Sequence, residues 1–379
     1  MPINVVHLVR QYHPSIGGME DVVQNIAHHQ QVAHDHRPVI VTLDRLFRNT
    51  DVRLPVRETV DGIPVVRLPF YGSTRYPLAP QVLQHVRNAD VIHVHGVDFF
   101  YDYLALTKPL HRRPLIASTH GGFFHTEFAS RLKRVYFKTV TRSTSLAYDR
   151  IVGTSNNDGQ LFSEIVDDQR LSVIENGVNV DKFANRSSRM RVPVMIYFGR
   201  WSVNKGLLET IDLFERIVAM RPEWRLIIAG REYDHTESEL DRLLRERGLR
   251  DRVQLVESPD QQKLAELIGQ ATYYICLSRH EGFGIAPIEG MSAGLTPILS
   301  DIPPFRQLVE RSGLGILLDR HAVEVQAARI VALHEQADVV SADHAHAARR
   351  TEAQAFVQQY SWRHIADRYV ELYRDLAAA

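Results

Sequence analysis

The chain has 379 residues, of which 45 are Lys or Arg, 45 are Asp or Glu and 44% are hydrophobic, so its formal net charge is zero. This composition excludes an intrinsically disordered chain and argues against a protein held to nucleic acid by its overall charge. The single cysteine, Cys276, excludes an intramolecular disulfide and a multi-thiolate metal site. There is no signal-peptide pattern, and no apolar run approaches the roughly 20 residues of a membrane-spanning helix. We therefore expect a cytoplasmic protein, and the length favours two domains.

Short β-branched runs alternate with longer amphipathic segments along the chain. The predicted strands of the first half are Ile3–Val9, Pro38–Leu43, Ile63–Leu68, Asp90–Val94, Leu115–Thr119, Arg150–Gly153 and Leu171–Ile174. Those of the second half are Val192–Phe198, Trp224–Ala229, Val253–Val256, Tyr273–Leu277, Thr296–Leu299 and Gly315–Leu318. Runs that are apolar almost throughout indicate parallel sheets covered by helices on both faces.

Two such series predict an α/β protein with two doubly wound, Rossmann-like domains. The polar segment Asn179–Arg191 has no strand or helix period, so we expect a first domain at residues 1–184 and a second at 185–360. The alternative, one large sheet, is less favoured because strand series of this length normally divide between two cores. Ser361–Leu376 has the spacing of an amphipathic helix, and we expect the terminal segment 361–379 to pack back on the first domain.

Two glycine-containing segments follow predicted strands of the first domain. Gly17 and Gly18 come after the first strand, where glycines allow either a tight turn or the approach of a ligand to the backbone. His120 ends a later strand and is followed by Phe123 and Phe124. Its place at the carboxyl edge of a parallel sheet favours a functional role, although a single histidine is often structural.

His93 and His95 lie two residues apart on a predicted strand and therefore face the same side. Metal sites need three or four ligands, and no third ligand lies nearby in the sequence. We therefore expect no metal at this pair.

The segment from Phe128 to Tyr148 carries five positive charges and no negative charge. The next acidic residue, Asp149, lies just beyond its end. Its basic residues are Arg131, Lys133, Arg134, Lys138 and Arg142, and its apolar arc contains Phe128, Leu132, Val135, Tyr136 and Val140. Such a helix can dock on anionic lipid. A basic, solvated face above an ordinary core stripe is the alternative.

Arg200 and Lys205 lie in the segment GRWSVNKG, directly after the first strand of the second domain. Arg offers a planar fork for phosphate and Lys a mobile point charge, so together they can neutralise a diphosphate. No Asp-x-Asp pair occurs in the sequence, which removes the commonest carboxylate motif for a metal ion on a nucleotide diphosphate. The alternative is an ordinary solvated loop.

The segment Ser278–Gly290 passes from a strand through a glycine-containing turn into a helix expected to begin near Pro287. Backbone N–H groups at such a turn form an anion site. Glu281 in the loop and Glu289, expected in the first helical turn, would accept hydrogen bonds from sugar hydroxyls. Alternatively, Glu289 would only complement the helix dipole. The combination after a parallel strand favours a nucleotide-sugar site.

These motifs together resemble those of the retaining glycosyltransferases of family four. The residues that carry the resemblance are GGME at Gly17–Glu20, STHG at Ser118–Gly121, IENGVNVDKF at Ile174–Phe183, GRWSVNKG at Gly199–Gly206 and EGFGIAPIE at Glu281–Glu289. The resemblance implies a GT-B fold, with two Rossmann-like domains facing across a cleft. The whole-chain pattern looks like the α-mannosyltransferases that extend a lipid-linked cellobiose in acetan- and xanthan-type exopolysaccharide assembly.

The resemblance also implies roles for individual residues. Catalysis would involve Arg200 and Lys205 on the donor diphosphate, Glu281 on the donor-sugar hydroxyls and His120 near the reacting centre. The remaining donor contacts would be made by Glu289 on the ribose and by backbone groups at Gly17, Gly18, Phe283, Gly284 and Ile285. Acceptor or membrane contacts would be made by Phe123, Phe124, Arg131, Lys133, Arg134 and Lys138.

The expected reaction is metal-independent transfer of mannose from GDP-mannose, with retention, to a polyprenyl-diphosphate-linked oligosaccharide, in which we expect a cellobiosyl unit and an α-1,3 linkage. No cofactor besides the donor substrate is expected, nor any nucleic-acid partner. We expect the enzyme to lie peripherally on the inner face of the cell membrane. The alternatives are a family-four enzyme using a UDP-sugar, a non-catalytic sugar-nucleotide-binding protein and a non-transferring GT-B enzyme such as an epimerase.

Overall fold

The computed structural model describes residues 1–121, 134–319, 322–335 and 339–378. The chain forms two compact units. The first contains residues up to Gly177 and the segment from Trp362 onward, and the second contains Val178–Ser361. The division precedes the predicted boundary at residue 184, because Val178 already belongs to the second unit, where its N–H donates to the carbonyl of Tyr360 at 2.7 Å.

The first unit is built on an eight-stranded sheet in the order β12-β11-β10-β9-β1-β2-β6-β5. All neighbouring pairs are parallel except β5 with β6. Its strands are β1 (Asn4–Leu8), β2 (Arg37–Leu43), β5 (Arg57–Val60), β6 (Ile63–Leu68), β9 (Val91–His95), β10 (Leu115–Ser118), β11 (Arg150–Gly153) and β12 (Leu171–Val173). Two small hairpins join β3 (Arg45–Leu46) to β4 (Asn49–Arg53) and β7 (Tyr71–Ser73) to β8 (Tyr76–Leu78).

Helices cover both faces of this sheet. They are α1 (Gly18–His34), α2 (Val82–His85), α3 (Phe99–Leu106), α4 (Lys108–His111), α5 (Arg142–Ser145), α6 (Asn156–Phe162) and, from the end of the chain, α14 (Trp362–Ala378). Alternate residues of β1 enter different cores. Val6 belongs to the core that contains the buried residues of α3, whereas Val5 belongs to the core that contains Val22 of α1 and Tyr369 of α14. The terminal helix therefore supplies part of the core of the first unit.

The described part of the predicted basic helix is distorted. Phe137–Thr141 forms a π-helical turn, in which each residue advances less far around the axis than in an α-helix. As a result Phe137 and Thr141 are buried, whereas Val135 and Val140 of the predicted apolar arc are 60% and 39% exposed. The prediction that this arc forms one regular stripe is therefore wrong for these positions.

The second unit contains a six-stranded, fully parallel sheet in the order β15-β14-β13-β16-β17-β18. Its strands are β13 (Val194–Phe198), β14 (Arg225–Gly230), β15 (Val253–Glu257), β16 (Tyr273–Cys276), β17 (Thr296–Ser300) and β18 (Ile316–Leu318). Its helices are α7 (Leu207–Met220), α8 (Glu237–Glu246), α9 (Gln261–Ile268), α10 (Ile285–Ala293), α11 (Pro303–Ser312), α12 (Val323–Glu335) and α13 (Val339–Val357). The predicted fold class, two doubly wound parallel sheets, is confirmed.

Each sheet reverses its strand order beside its first strand. In the first unit β1 lies between β2 and β9, and in the second β13 lies between β14 and β16. Ligands of doubly wound proteins bind at the carboxyl ends of the strands at such a reversal. The topology therefore directs attention to the loops that follow β1 and β9, and to those that follow β13 and β16.

Candidate active site

The loops after β13 and β16 hold the two strongest sequence motifs, and the structure brings them into contact. The side-chain amide of Asn204 donates to the carbonyl of His280 at 2.8 Å, and the N–H of Arg279 donates to the carbonyl of Asn204 at 2.8 Å. Gly206 makes this approach sterically feasible, because it has a φ of 66° and a Cβ there would lie 2.0 Å from the carbonyl oxygen of Leu277.

Lys205 and Glu281 form an ion pair across these loops. Nζ of Lys205 lies 2.6 Å from Oε1 of Glu281, and the hydroxyl of Ser278 donates to the same oxygen at 2.6 Å. The two charged side chains are only 21% and 13% exposed, so the pair is partly shielded from water. The sequence assigned these residues to different parts of a ligand, and the structure places them in direct contact.

Arg200 presents its charge to solvent at the end of β13. Its guanidinium carbon lies 4.9 Å from the ring centre of Tyr233, and its carbonyl accepts a hydrogen bond from the hydroxyl of Tyr197 at 2.6 Å. The backbone is thus held by a buried tyrosine while the guanidinium stacks on an exposed one. This arrangement orients a planar cation at the carboxyl edge of the sheet.

The turn of the EGFG segment begins α10 differently from the prediction. The first helical residue is Ile285 rather than a residue near Pro287, and the cap residue Gly284 is left-handed, with a φ of 92° and no side-chain cap. Glu289 therefore lies in the second turn, and the first turn has no acidic residue. This argues against the alternative in which Glu289 merely complements the helix dipole. The N-terminal N–H groups of α10, from Ile285 onward, have no side-chain acceptor at the cap.

A cavity of about 410 Å³ lies beside these loops, at the carboxyl ends of β13 and β14. Apolar and polar groups share its lining, among them Lys182, Phe198, Arg200, Arg231, Ser258, Leu264 and Glu289. Nζ of Lys182 lies 3.1 Å from Oε1 of Glu289. Burial raises the pKa of the Glu289 carboxyl, and the Lys182 ammonium opposes that shift. Lys182 lies in the IENGVNVDKF segment but received no role from the sequence, and Arg231 and Ser258 lie in none of the predicted motifs.

In the first unit, Gly17 and Gly18 lie at the start of α1, after β1. Gly17 is extended, with a φ of −169°, and a Cβ at Gly18 would meet nothing within 4 Å. The described protein atoms therefore do not require glycine at Gly18. The hydroxyl of Ser15 donates to Oε1 of Glu20 at 2.7 Å instead of capping the helix.

His120 follows β10 and has a left-handed backbone, with a φ of 50°. Its Nε2 lies 3.0 Å from Nδ1 of His95, which in turn contacts His7. The structure thus supplies the third histidine that the sequence lacked beside His93 and His95. Because His7 lies on another strand, sequence spacing could not reveal it.

The predicted acceptor or membrane contacts are only partly described. Phe123, Phe124, Arg131 and Lys133 lie outside the described residues. Arg134 and Lys138 are exposed, and Lys138 lies 3.4 Å from the exposed carboxylate of Glu164. Within the described ranges, none of the helices combines the length and apolarity that crossing a membrane requires.

Comparison with known proteins places these features in a family. Residues 16–182 match the model of Glycosyltransferase Family 4, and residues 179–355 match that of Glycosyl transferases group 1. A protein of Xanthomonas oryzae named GDP-mannose:cellobiosyl-diphosphopolyprenol alpha-mannosyltransferase is 53% identical over 373 residues, which are 98% of this chain and 97% of the relative. The chain belongs to glycosyltransferase family 4.

Other comparisons agree with this family-4 assignment. A Komagataeibacter xylinus protein with the same name is 40% identical, over 99% of this chain and 93% of the relative. A glycosyltransferase structure from Rickettsia africae superposes with a TM-score of 0.73 at 16% identity, over 99% of this chain and 98% of that one. An Anabaena protein solved in complex with UDP gives a TM-score of 0.68 at 17% identity, over 98% and 100% of the two chains. At this identity the structures show the fold, and it is the GT-B fold.

Proposed function

We propose that this family-4 enzyme transfers mannose from GDP-mannose to cellobiosyl-diphosphopolyprenol and forms an α-glycosidic bond. Two full-length relatives, 53% and 40% identical, are named for this reaction. The observation that carries the proposal is the convergence of Arg200, Lys205 and Glu281 with the Lys182–Glu289 cavity at one sheet edge.

The cavity suits the nucleoside part of the donor. Phe198 and Leu264 provide apolar lining for a planar base, and Arg231 and Ser258 provide hydrogen-bond donors at its rim. Glu289 accepts hydrogen bonds from the ribose hydroxyls. Burial raises the pKa of this carboxyl, and Lys182 opposes that rise and so favours the ionised form.

The diphosphate lies at the cations and at the start of α10. Arg200 and Lys205 neutralise charge that grows on the leaving GDP, and the free backbone N–H groups beyond Gly284 add further donors. Donor binding draws the Lys205 ammonium towards the phosphates. Glu281 then keeps its hydrogen bond from Ser278 and accepts others from the hydroxyls of mannose.

The transfer retains the configuration of the anomeric carbon and needs no enzymic nucleophile. The bond from this carbon to the phosphate oxygen breaks while a bond forms, on the same face, to the acceptor hydroxyl oxygen. The hydroxyl proton passes to an oxygen of the departing diphosphate. The protein contributes orientation and charge stabilisation. Because two cations already face the leaving group, we infer that no divalent metal is needed.

The acceptor carries a polyprenyl chain, so we infer that the enzyme works peripherally at the inner face of the cell membrane. Val135 and Val140 are exposed beside the exposed cations Arg134, Lys138 and Arg142. Exposed apolar groups among basic residues match the chemistry of an anionic lipid surface. This arrangement favours the membrane interpretation over a solvated face above a core stripe. The product, an α-1,3-mannosylated cellobiosyl lipid, would enter exopolysaccharide synthesis.

The test is transfer from a panel of labelled sugar nucleotides to a synthetic cellobiosyl lipid diphosphate, followed by NMR of the product. We expect product with GDP-mannose, an α-configured new linkage and none with UDP-sugars. Faster transfer from a UDP-sugar would show that the donor is that UDP-sugar and not GDP-mannose. Failure of every donor would favour a non-catalytic binding protein, and a modified sugar nucleotide formed without acceptor would identify an epimerase.

A further inference from the structure

Four histidines of the first unit lie close together where its sheet reverses its strand order. His7 of β1 and both His93 and His95 of β9 are fully buried, and His120 follows the neighbouring β10. Nδ1 of His7 lies 3.0 Å from Nε2 of His95, and Nδ1 of His95 lies 3.0 Å from Nε2 of His120. At the inner end, Nε2 of His7 lies 3.0 Å from Oε1 of Gln30, a fully buried residue of α1.

The three buried histidines are close enough to hold a metal ion, but their nitrogens already have protein partners. Both nitrogens of His7 and both nitrogens of His95 take part in the hydrogen bonds that link Gln30 to His120. Those of His93 contact the hydroxyls of Tyr373 at 2.7 Å and Ser118 at 2.8 Å. A metal ion would have to replace several of these hydrogen bonds. The cluster is therefore better described as a hydrogen-bond network.

The chain from Gln30 to His120 has a defined polarity. Oε1 of Gln30 only accepts, so Nε2 of His7 carries the proton and Nδ1 of His7 accepts. His95 must then donate from Nε2 and accept at Nδ1, which requires His120 to donate from Nε2. This order holds for neutral rings, and burial lowers the pKa of His7 and of His120 to about 4 and that of His95 well below its usual value.

We propose that Gln30, His7 and His95 are positioning residues that fix His120 as the Nε2–H tautomer, leaving Nδ1 to accept a hydrogen bond from a hydroxyl group of the bound sugar. Among the described residues, His120 has no other hydrogen-bond partner. A neutral ring with a lone pair on Nδ1 selects a hydroxyl and disfavours a phosphate oxygen, which itself only accepts. The proposal rests on the proposed function for its ligand. The contact of His120 with the donor sugar is what the family resemblance implies, and the new part is the set of residues that orients its ring.

The tautomer itself can be tested on the unaltered protein, whether or not it transfers mannose. Long-range ¹H–¹⁵N NMR of ¹⁵N-histidine protein at neutral pH should show His7, His95 and His120 as neutral Nε2–H rings, assigned with single His→Gln variants. A protonated Nδ1 on His120, or stoichiometric bound zinc, would overturn the proposal. If wild-type protein gave the expected tautomers but no mannose transfer, the proposed function would be refuted, whereas the proposed relay of hydrogen bonds from Gln30 through His7 and His95 to His120 would be supported.

The catalytic consequence is tested at the far end of the chain. Gln30→Met removes the acceptor, so we expect kcat to fall about tenfold, as for loss of one hydrogen bond in the transition state, with the KM for GDP-mannose unchanged. Gln31→Met, on the same helix but bonded to the carbonyl of Gly62, is the matched control. Equal kcat values for Gln30→Met and Gln31→Met would show that the relay does not position His120.

Discussion

Nζ of Lys205 lies 2.6 Å from Oε1 of Glu281, so a cation assigned to the donor diphosphate is paired with a carboxylate assigned to the donor sugar. This pairing holds both side chains together at the edge of the sheet. It also means that donor binding exchanges one ion pair for another. Lys205 is therefore the residue at which charge stabilisation should be tested first.

We expect Lys205→Ala to lower kcat/KM by about 100-fold or more, because it removes a positive charge from the leaving diphosphate. Circular dichroism should show an intact fold, since Glu281 keeps its hydrogen bond from Ser278. Lys263→Ala is the matched control, as Lys263 is exposed and pairs with Glu266 on the surface. Wild-type activity in Lys205→Ala would refute the diphosphate assignment.

Lys182→Met should weaken GDP binding about tenfold, and the loss should grow as the pH falls. Without the ammonium, burial alone acts on Glu289, whose pKa then rises further, so its carboxyl takes up a proton at higher pH and loses one of the two oxygens that accept from ribose. Calorimetry with GDP at several pH values measures both effects, with Lys263→Met as control. An unchanged GDP affinity would exclude Lys182 and Glu289 from the nucleoside site.

The buried histidines predict that the free energy of unfolding falls in mild acid. Burial lowers the pKa of His7 to about 4 and those of His93 and His95 well below their usual value, so the unfolded chain binds protons below pH 6.5 that the folded chain does not. The stability they contribute is complete above pH 6.5 and is lost towards pH 4, by up to about 1.4 kcal/mol per pH unit for each ring.

Urea unfolding at about pH 7 and about pH 5 measures this dependence. His95→Gln should reduce the difference in unfolding free energy between the two pH values. His28→Gln, at an exposed position of α1, should leave that difference unchanged. Equal unfolding free energies at the two pH values would contradict the prediction.

Treatment with EDTA should leave the rate of mannose transfer unaltered, because Arg200 and Lys205 take the place that a metal ion has in other diphosphate sites. Steady-state rates before and after chelation, and after addition of Mg²⁺ or Mn²⁺, provide the measurement. Loss of activity that Mg²⁺ or Mn²⁺ restores would show that the two cations are insufficient.

The protein should bind vesicles containing anionic lipid more tightly than neutral vesicles at low salt. Arg134→Glu/Lys138→Glu should reduce this binding, since each basic residue near such a surface contributes about 1 kcal/mol. Reversal of two exposed arginines of the second unit, Arg216→Glu/Arg242→Glu, is the control. Co-sedimentation that is equal for anionic and neutral vesicles would refute the membrane contact.

Buried, apolar strands could be predicted from the sequence with good accuracy. Strands Ile63–Leu68 and Arg150–Gly153 have the bounds that the sequence predicts, because each contains a pair of adjacent β-branched residues between polar or turn-forming flanks. The strands of the exposed hairpins were not predicted. Asn49–Arg53, for example, is polar and mostly solvent-facing, so its sequence has no hydrophobic period. The π-helical turn at Phe137–Thr141 was also missed, since it shifts the exposed face without changing the composition.

The same distinction applies to the candidate site. Arg200, Lys205 and Glu281 lie in loops beside glycines that follow strands, and Glu289 lies in the helix that one of these loops begins, so local sequence indicates ligand binding. The pairing of Lys182 with Glu289 and that of His7 with His95 have no such signal, because the partners are distant in the sequence and meet only in the folded protein. A contact set by the order of strands cannot be read from local spacing.

The chain passes between its two units twice, after Gly177 and after Ser361. Val178 pairs with Ser361, and a Cβ at Gly177 would lie 2.3 Å from the ring of Trp362, so the two passages occur at neighbouring points of the chain. The second unit is thus an insertion into the first, with its own beginning and end adjacent. A gene that joins Gly177 to Trp362 would encode a continuous first unit, and residues 178–361 would form a separate polypeptide, so that the proposed nucleotide site can be tested without the first unit.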